Sequence, residues 1–237
     1  MEWTDDAIVI ATRPHGETSA VVTALTKDHG RHAGLVRGGA GKQARGAIQP
    51  GNYLRLTWRA RLAEQLGNYT WELLSPEGTR WLADYGRLAA VSSACALIEA
   101  TLPERESHPT AYVGLATLLA VLADDDWASQ YVRWELDLLA ELGYGLDLSS
   151  CAATGTNDDL AYVSPRSGRA VSLSAGEPYR DRLLRMPPFL GSDVAAEPGE
   201  VVTGLALTGH FLERWVFAAI GKALPPARAR LVAIFKA

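Results

Sequence analysis

The chain has 237 residues, of which 48% are hydrophobic and 21% are charged, and its formal net charge is −4. This length and composition exclude a disordered chain and allow a real core divided into two or three small units. The N-terminus MEWTDDAIVI has acids where a signal peptide has bases, and no apolar run approaches the roughly 20 residues of a membrane span. With Cys95 and Cys151 as its only cysteines, we expect a cytoplasmic protein without a disulfide framework and without a membrane partner.

Charge is unevenly distributed along the chain. Residues 27–61 carry eight bases against one acid, and residues 210–237 carry five bases against one acid. Residues 62–209, in contrast, carry nine bases against 21 acids. Two basic ends flanking an acidic middle are typical of a protein that meets polyanions with part of its surface. Ordinary solvated surface charge is the alternative interpretation.

Five β-rich segments occupy the N-terminal part of the chain: AIVIATR, AVVTALT, RHAGLVR, NYLRLTWR and QLGNYTWELL. Turn signals separate them and no helical period intervenes, which favours a small antiparallel barrel or sandwich. Five strands in about 70 residues fit the oligonucleotide-binding (OB) barrel. We therefore assign residues 1–76 to a five-stranded OB-fold domain that binds nucleic acid.

The glycine-rich segment VRGGAGKQARG, residues 36–46, raises the question of a nucleotide-binding loop. A P-loop requires Gly where this chain has Val36 and Ser or Thr where it has Gln43. Because both positions fail, the motif does not indicate a nucleotide enzyme. We predict instead a mobile hairpin between two basic strands, in which Lys42 and Arg45 follow a phosphate backbone.

After Pro76 the apolar spacing becomes helical. Three helices of a bundle are predicted from RWLADYGRLAAVSSACALIEATL, AYVGLATLLAVLADDDW and ASQYVRWELDLLAELG. A fourth helix is predicted from about residue 202 to 223, ended by the prolines of LPPARARL. Together they form a helical domain over residues 77–237. Within it, the turn-rich residues 146–185 are predicted to form an irregular insert rather than core.

Side-chain alternation in NYLRLTWRAR predicts one apolar and one basic strand face. Leu54, Leu56 and Trp58 share one face, which we assign to the core, and Tyr53 lies on the basic face as the candidate ring for base stacking. Binding through such a surface should be mainly electrostatic and strongly salt-dependent. The predicted DNA-contacting residues are Arg31, Arg37, Lys42, Arg45, Tyr53, Arg55, Arg59 and Arg61.

No catalytic motif accompanies these residues. None of the five histidines belongs to a HExxH, a GxSxG elbow or a His-Cys pairing. Adjacent acids such as Asp158 and Asp159 are typical of turns and caps. An enzyme acting on nucleic acid would need clustered carboxylates or a nucleophile, so we predict a protein with neither enzymatic activity nor a cofactor.

Four segments together resemble the RecO family of bacterial recombination mediators: ATRPHGETSAVVTALTKDHGRHAGLVRGGAGK, IQPGNYLRLTWRARL, WELDLLAELGYGLDLSSC and YVSPRSGRAVS. The resemblance implies an α+β fold with an OB barrel, a helical bundle and a small zinc-ribbon-like insert. It implies binding of single- and double-stranded DNA and annealing of complementary strands in the cytoplasm, in association with the nucleoid. It also implies that the protein acts with RecR to load RecA onto DNA coated by single-strand-binding protein (SSB), whose acidic C-terminal tail is a partner.

The insert departs from those relatives that have two CxxC pairs at this place. Cys151 is present, but Thr154 stands three residues on, and the second pair would fall near Ser172 and Ala175. One thiolate cannot close a tetrahedral structural zinc site. We therefore predict no zinc, and an insert held by packing through Tyr162, Val163, Val171 and Leu173.

Two alternatives concern partners. In place of DNA binding, the protein could be a non-enzymatic adaptor whose basic surface binds an acidic partner peptide. An SSB tail would require a basic-rimmed apolar pocket, for which Arg87, Arg105 and Arg133 are the candidates. The C-terminal PPARARL supplies either a second DNA-facing patch, with Arg228 and Arg230, or an exposed tail.

Overall fold

A computed structural model of the protein describes residues 1–192 and 195–236. The chain forms two compact units. The first comprises Met1–Leu119 and Pro225–Leu231, and the second comprises Ala120–Leu224 and Val232–Ala237. The predicted domain division at residue 76 stays a prediction, because compactness alone groups the first helices with the N-terminal strands. No helix in the described ranges is long and apolar enough to cross a membrane.

Five strands close into a barrel in the first unit: β1 (Glu2–His15), β2 (Ser19–Thr26), β3 (Arg31–Val36), β4 (Tyr53–Arg59) and β5 (Asn68–Ser75). Their order around the barrel is β1-β2-β3-β5-β4. All neighbours are antiparallel except β3 and β5, which pair in parallel through Leu35 and Asn68. A register shift between Val9 and Ala11 in β1 lets this long strand bend around the barrel. The predicted OB barrel and its five strands are confirmed.

The barrel core follows the predicted alternation. Leu54, Leu56 and Trp58 of β4 are buried, whereas Arg55 between them and Arg59 after them are exposed. In β5 the alternation of buried and exposed side chains is limited to the first half of the strand. Tyr69 is buried and Trp71 is partly buried, whereas Leu73 is exposed, because the second half of this strand extends beyond the core cluster.

Gly34 in β3 provides a test of barrel packing. A Cβ atom at this position would lie 2.4 Å from Cδ2 of the buried Tyr69 ring. Because the ring has no space to retreat, we expect Gly34→Ala to lower the free energy of unfolding by about 2 kcal/mol, as overpacking typically does. Urea unfolding followed by tryptophan fluorescence measures the change. Gly46→Ala is the matched control, since a Cβ there meets nothing within 4 Å. Equal stability of the two variants would contradict the prediction.

The segment predicted as a mobile hairpin contains a helix. A turn at residues 37–40 leads into α1 (Lys42–Ala47). The helix is anchored on one side because Ala44 and Ala47 are buried, together with the following Ile48. At its end, the Asn52 amide donates hydrogen bonds to the carbonyls of Gly46 and Ala47 at 3.1 and 2.9 Å. The prediction of a hairpin was therefore wrong.

Three helices complete the N-terminal part: α2 (Glu77–Arg80), α3 (Tyr85–Thr101) and α4 (Pro109–Val121). The Asp84 side chain caps α3 by accepting a hydrogen bond from the backbone N–H of Arg87. On its buried face, α3 contacts the barrel through Cys95, whose Sγ lies 3.8 Å from the Val9 carbonyl oxygen. The helix thereby packs against β1.

The second unit begins its helical part with α5 (Trp127–Glu141), as predicted, and continues into the insert. The insert is more regular than the sequence indicated. It contains β6 (Leu160–Val163), β7 (Ala170–Ser172), α6 (Leu173–Gly176) and β8 (Leu184–Arg185), and the strands form an antiparallel sheet in the order β7-β6-β8. Of the predicted apolar contributors, Leu173 is exposed, whereas the others are buried: Tyr162, Val163 and Val171.

The helix predicted over about residues 202–223 begins earlier than expected, and a further helix follows the prolines. α7 covers Pro198–Phe211 and packs against α5, and a π-helical segment continues it through Leu212–Phe217. α8 (Pro226–Lys236) begins at the second of the two prolines, which fits the first helical position because no N–H is needed there. PPARARL is thus not an exposed tail. Within α8, Arg228 is buried, whereas Arg230 is exposed.

Candidate nucleic-acid interface

Three predicted DNA-contacting residues surround the turn between β3 and α1, and we call Arg37, Lys42 and Arg45 the basic loop. The side chains of all three residues are exposed. Arg37 Nε donates to Asn68 Oδ1 at 3.2 Å, and Arg45 Nη2 donates to the Ala40 carbonyl at 2.9 Å. Within residues 1–192 and 195–236, no carboxylate forms an ion pair with any of the three. Their positive charge is therefore available to an anion.

A cleft of about 490 Å³ lies beside the basic loop. Leu82, with 69% of its surface exposed, contributes an apolar side chain to its lining, and Lys42 and Arg45 contribute the cations. Such a cleft can hold a group that is both anionic and apolar, as a nucleotide is. Its lining residues are Lys42, Arg45, Gly46, Gln49, Thr79 and Leu82.

The two arginines of β4 are in a different electrostatic situation. Arg55 Nε lies 3.0 Å from Asp6 Oδ1, and Arg59 Nη2 lies 2.7 Å from Glu2 Oε1. The β1–β4 register produces both pairs, since it places Asp6 opposite Arg55 and Glu2 opposite Arg59. The hydrogen bond from Arg59 lowers the pKa of Glu2. We call these four residues the paired strip. Exposed ion pairs of this kind are weak, so a phosphate can compete with the acids.

Two further predicted residues are engaged within the first unit. Arg31 Nε donates to the Leu102 carbonyl at 2.7 Å, and Arg31 Nη1 lies 3.2 Å from Glu104 Oε1. Tyr53 is half-buried, and its hydroxyl donates to the Ala116 carbonyl at 3.4 Å. Burial also raises the pKa of Tyr53 to about 12. We therefore exclude Arg31 and Tyr53 from the proposed interface and retain the exposed Arg61.

A cluster of aromatic rings at one end of the barrel was not predicted. Trp3, His29, His32, Trp58 and Tyr69 contact one another, with ring centroids between 4.2 and 6.1 Å apart. His32 Nδ1 lies 3.0 Å from the Tyr69 hydroxyl, and burial lowers the pKa of His32 to about 4, so this imidazole is neutral at neutral pH. No local motif joins these residues, because the barrel brings them together from four strands and a turn.

The three candidate rim residues for an acidic peptide all have partners of their own. Arg87 pairs with Asp84 at 2.7 Å, and Arg105 donates to the Ala63 and Gln65 carbonyls. Arg133, in the other unit, donates to the Phe189 and Ser192 carbonyls. The described part of the chain therefore shows these residues holding local structure, each at a different place.

The insert brings together the four positions that carry cysteines in some relatives. Cys151 Sγ lies 3.4 Å from Ser172 Oγ and accepts a hydrogen bond from the Ser172 N–H at 3.2 Å, and Ala175 packs against the same cluster. Burial opposes ionisation of Cys151, but hydrogen bonds from Ser172 and Thr154 outweigh it and lower the pKa of the thiol to about 6. Among residues 1–192 and 195–236, no three metal-ligating side chains converge. The absence of zinc stays a prediction.

A closed barrel of OB topology, followed along the chain by a helical region, makes this an α+β protein with an N-terminal OB domain. Two family models for recombination protein O match most of the chain, the N-terminal model over residues 1–76 and the C-terminal model over residues 82–222. The chain belongs to the RecO family.

Curated relatives support the same assignment over nearly all of their length. The DNA repair protein RecO of Rhodospirillum centenum is 58% identical over 234 residues, which cover 98% of this chain and 94% of the relative. The protein of the same name from Rhodospirillum rubrum is 50% identical, with 98% and 95% covered. That of Phenylobacterium zucineum is 49% identical, with 96% and 95% covered.

Proposed function

We propose that this protein is a DNA-binding recombination mediator that anneals complementary single strands and, with RecR, helps to load RecA onto SSB-coated DNA in recombinational repair. Membership of a family whose members are named DNA repair proteins supports the proposal. The structural observation that carries it is the basic loop on the OB barrel, where three exposed cations have no acidic partner among the residues that the structure describes. The protein acts as a non-enzymatic mediator in the cytoplasm, in association with the nucleoid, and contacts RecR and the SSB tail.

The basic loop explains annealing without any covalent step. Two single strands repel each other through their phosphates, and cations that neutralise both backbones let them approach. Phosphate contacts fix the position of a strand but leave its base edges unread. Base pairing between the two strands then supplies the sequence match. The protein therefore needs charge and a path for the backbone, and it needs no sequence-specific contact.

The cleft beside the basic loop favours one second candidate function. Lys42 and Arg45 next to the exposed Leu82 would also suit an acidic peptide with an apolar side chain. In that case the protein is a protein–protein adaptor. Binding of a labelled single-stranded oligonucleotide, measured as a function of salt concentration, separates the two functions, because only the mediator binds the strand with a steep salt dependence.

Annealing of complementary oligonucleotides that have been coated with the cognate SSB tests the proposed function. We expect the protein to accelerate duplex formation, and the addition of RecR to permit RecA loading on the same coated strands. Uncoated strands provide the control for simple charge neutralisation. An unchanged annealing rate on both coated and uncoated strands would contradict the proposal.

A further inference from the structure

Three rings of the aromatic cluster form a continuous stack, and we call Trp58, Trp3 and His29 the ring stack. The centroids of Trp58 and Trp3 are 5.8 Å apart with an interplanar angle of 21°. Those of Trp3 and His29 are 4.2 Å apart with an angle of 9°, which is a parallel stack. Trp58 lies in the barrel core, and His29 lies in the turn between β2 and β3. The stack thus runs from the core to the surface and ends at His29.

The imidazole of His29 is held in a fixed orientation. Its Nδ1 lies 3.0 Å from Asp5 Oδ2, and its backbone N–H lies 3.3 Å from the same oxygen and 2.9 Å from Thr26 Oγ1. The Asp5 side chain is only 4% exposed, whereas that of His29 is 37% exposed. Because Trp3 covers one face of the imidazole and Asp5 occupies its Nδ1 edge, the exposed part consists of the opposite face and the Nε2 edge.

The neighbouring charges permit an anionic ligand at this turn. Lys27 is exposed two residues before His29, and no carboxylate in the described ranges forms an ion pair with it. Asp5 already accepts hydrogen bonds from two backbone N–H groups, those of Asp28 and His29, and Glu104 is paired with Arg31. Three other acids lie near the turn: the exposed Asp28, the exposed Glu106, whose backbone lies against Gly30, and Asp6, which is paired with Arg55 and whose carbonyl accepts from the Lys27 N–H. A phosphate beside Lys27 therefore meets one cation that has no ion pair in the described ranges, with the exposed Asp28 and Glu106 as the competing carboxylates.

We propose that His29 is a platform on which one base of a bound single strand stacks, extending the ring stack by one member, with the adjoining phosphate beside Lys27. This inference rests on the proposed function, because it assumes that the barrel binds single strands. Stacking tolerates any sequence, since every base has a π face. A ring held rigid before binding loses little conformational freedom when the base arrives.

The position of His29 also sets a path for the strand. The turn that holds His29 precedes β3, and the basic loop follows it. Six strand residues at about 3.3 Å each separate the two places by roughly 20 Å. A single strand of DNA that contacts both His29 and the basic loop therefore runs along the length of β3.

Binding of two oligonucleotides of equal length, oligo(dT) and an abasic strand with the same phosphates, tests this platform. We expect His29→Ala to weaken the binding of oligo(dT) about tenfold, as loss of one stacked base does, and to leave the binding of the abasic strand unchanged. His29→Phe keeps a ring and should retain the affinity of the original protein for oligo(dT). His15→Ala is the matched control, because His15 is an exposed histidine at the end of β1, away from the ring stack.

Three outcomes would overturn the inference. One is an unchanged affinity of His29→Ala for oligo(dT). Another is an equal loss for both strands, which would indicate damage to the barrel rather than loss of stacking. The third is a failure of His29→Phe to restore binding. If the original protein binds neither strand, the proposed function itself fails, and this result is distinct from the other three.

Discussion

Replacing Arg37, Lys42 and Arg45 together by glutamine should weaken single-stranded DNA binding on the order of 100-fold at low salt and flatten its salt dependence. A cation that neutralises a phosphate releases the counterions bound there, and its removal abolishes that release. For three lost contacts with a single strand, the magnitude of the slope of log affinity against log salt concentration should fall by about 2. Fluorescence anisotropy of a labelled oligo(dT) over a salt series measures both quantities.

The paired strip supplies the controls for this experiment. Arg55→Gln with Arg59→Gln removes two cations that already have acidic partners, and we expect a smaller loss than with the basic loop. Glu2→Gln with Asp6→Asn does the reverse, because it releases both arginines, and should raise the affinity. If the substitutions in the basic loop and those of Arg55 and Arg59 have equal effects, or if removal of the acids weakens binding, the assignment of the interface to the basic loop is wrong.

A second large effect is expected in the insert, where Thr154→Cys, Ser172→Cys and Ala175→Cys together should create a zinc site. The three positions surround Cys151, whose thiol pKa is already lowered toward that of a metal ligand. Four thiolates at such a place form a closed tetrahedral site, and structural zinc of this type binds with about 10–16 kcal/mol of apparent free energy. We therefore expect one zinc per chain after dialysis, measured by elemental analysis.

The unmodified protein and the single Thr154→Cys variant are the controls for zinc binding. Both offer too few thiolates for a closed site, so neither should retain stoichiometric zinc. Zinc in the unmodified protein would refute the predicted absence of the metal. A triple variant that folds but holds no zinc would show that the four positions do not form the geometry of a ribbon.

Local patterns in the sequence were sufficient to predict the barrel and its core. The alternation of Leu54, Leu56 and Trp58 with two arginines has the period of a strand, and that period alone decides which face is buried. The acidic partners of the two arginines could not be predicted from this local period. They lie 49 and 57 residues earlier in the chain, and only the register between β1 and β4 brings them into contact.

Two other features escaped prediction for related physical reasons. A helix of six residues such as α1 has too few turns to show a period, and it depends on burial of Ala44 and Ala47. The ring stack depends on tertiary contact in the same way, since Trp3 and His29 belong to separate segments. The predicted stacking residue, Tyr53, had the correct strand face but was covered by α4 through the Ala116 carbonyl.

For the proposed function, the acids of the paired strip also affect the rate at which bound DNA dissociates. A surface with every arginine unopposed would retain the finished duplex, whose two backbones carry twice the charge of one strand. Because Glu2 and Asp6 compete for two of the arginines, part of the barrel returns to its internal pairs whenever a phosphate leaves. For a protein proposed to anneal one pair of strands after another, these carboxylates favour product release and hence repeated turnover.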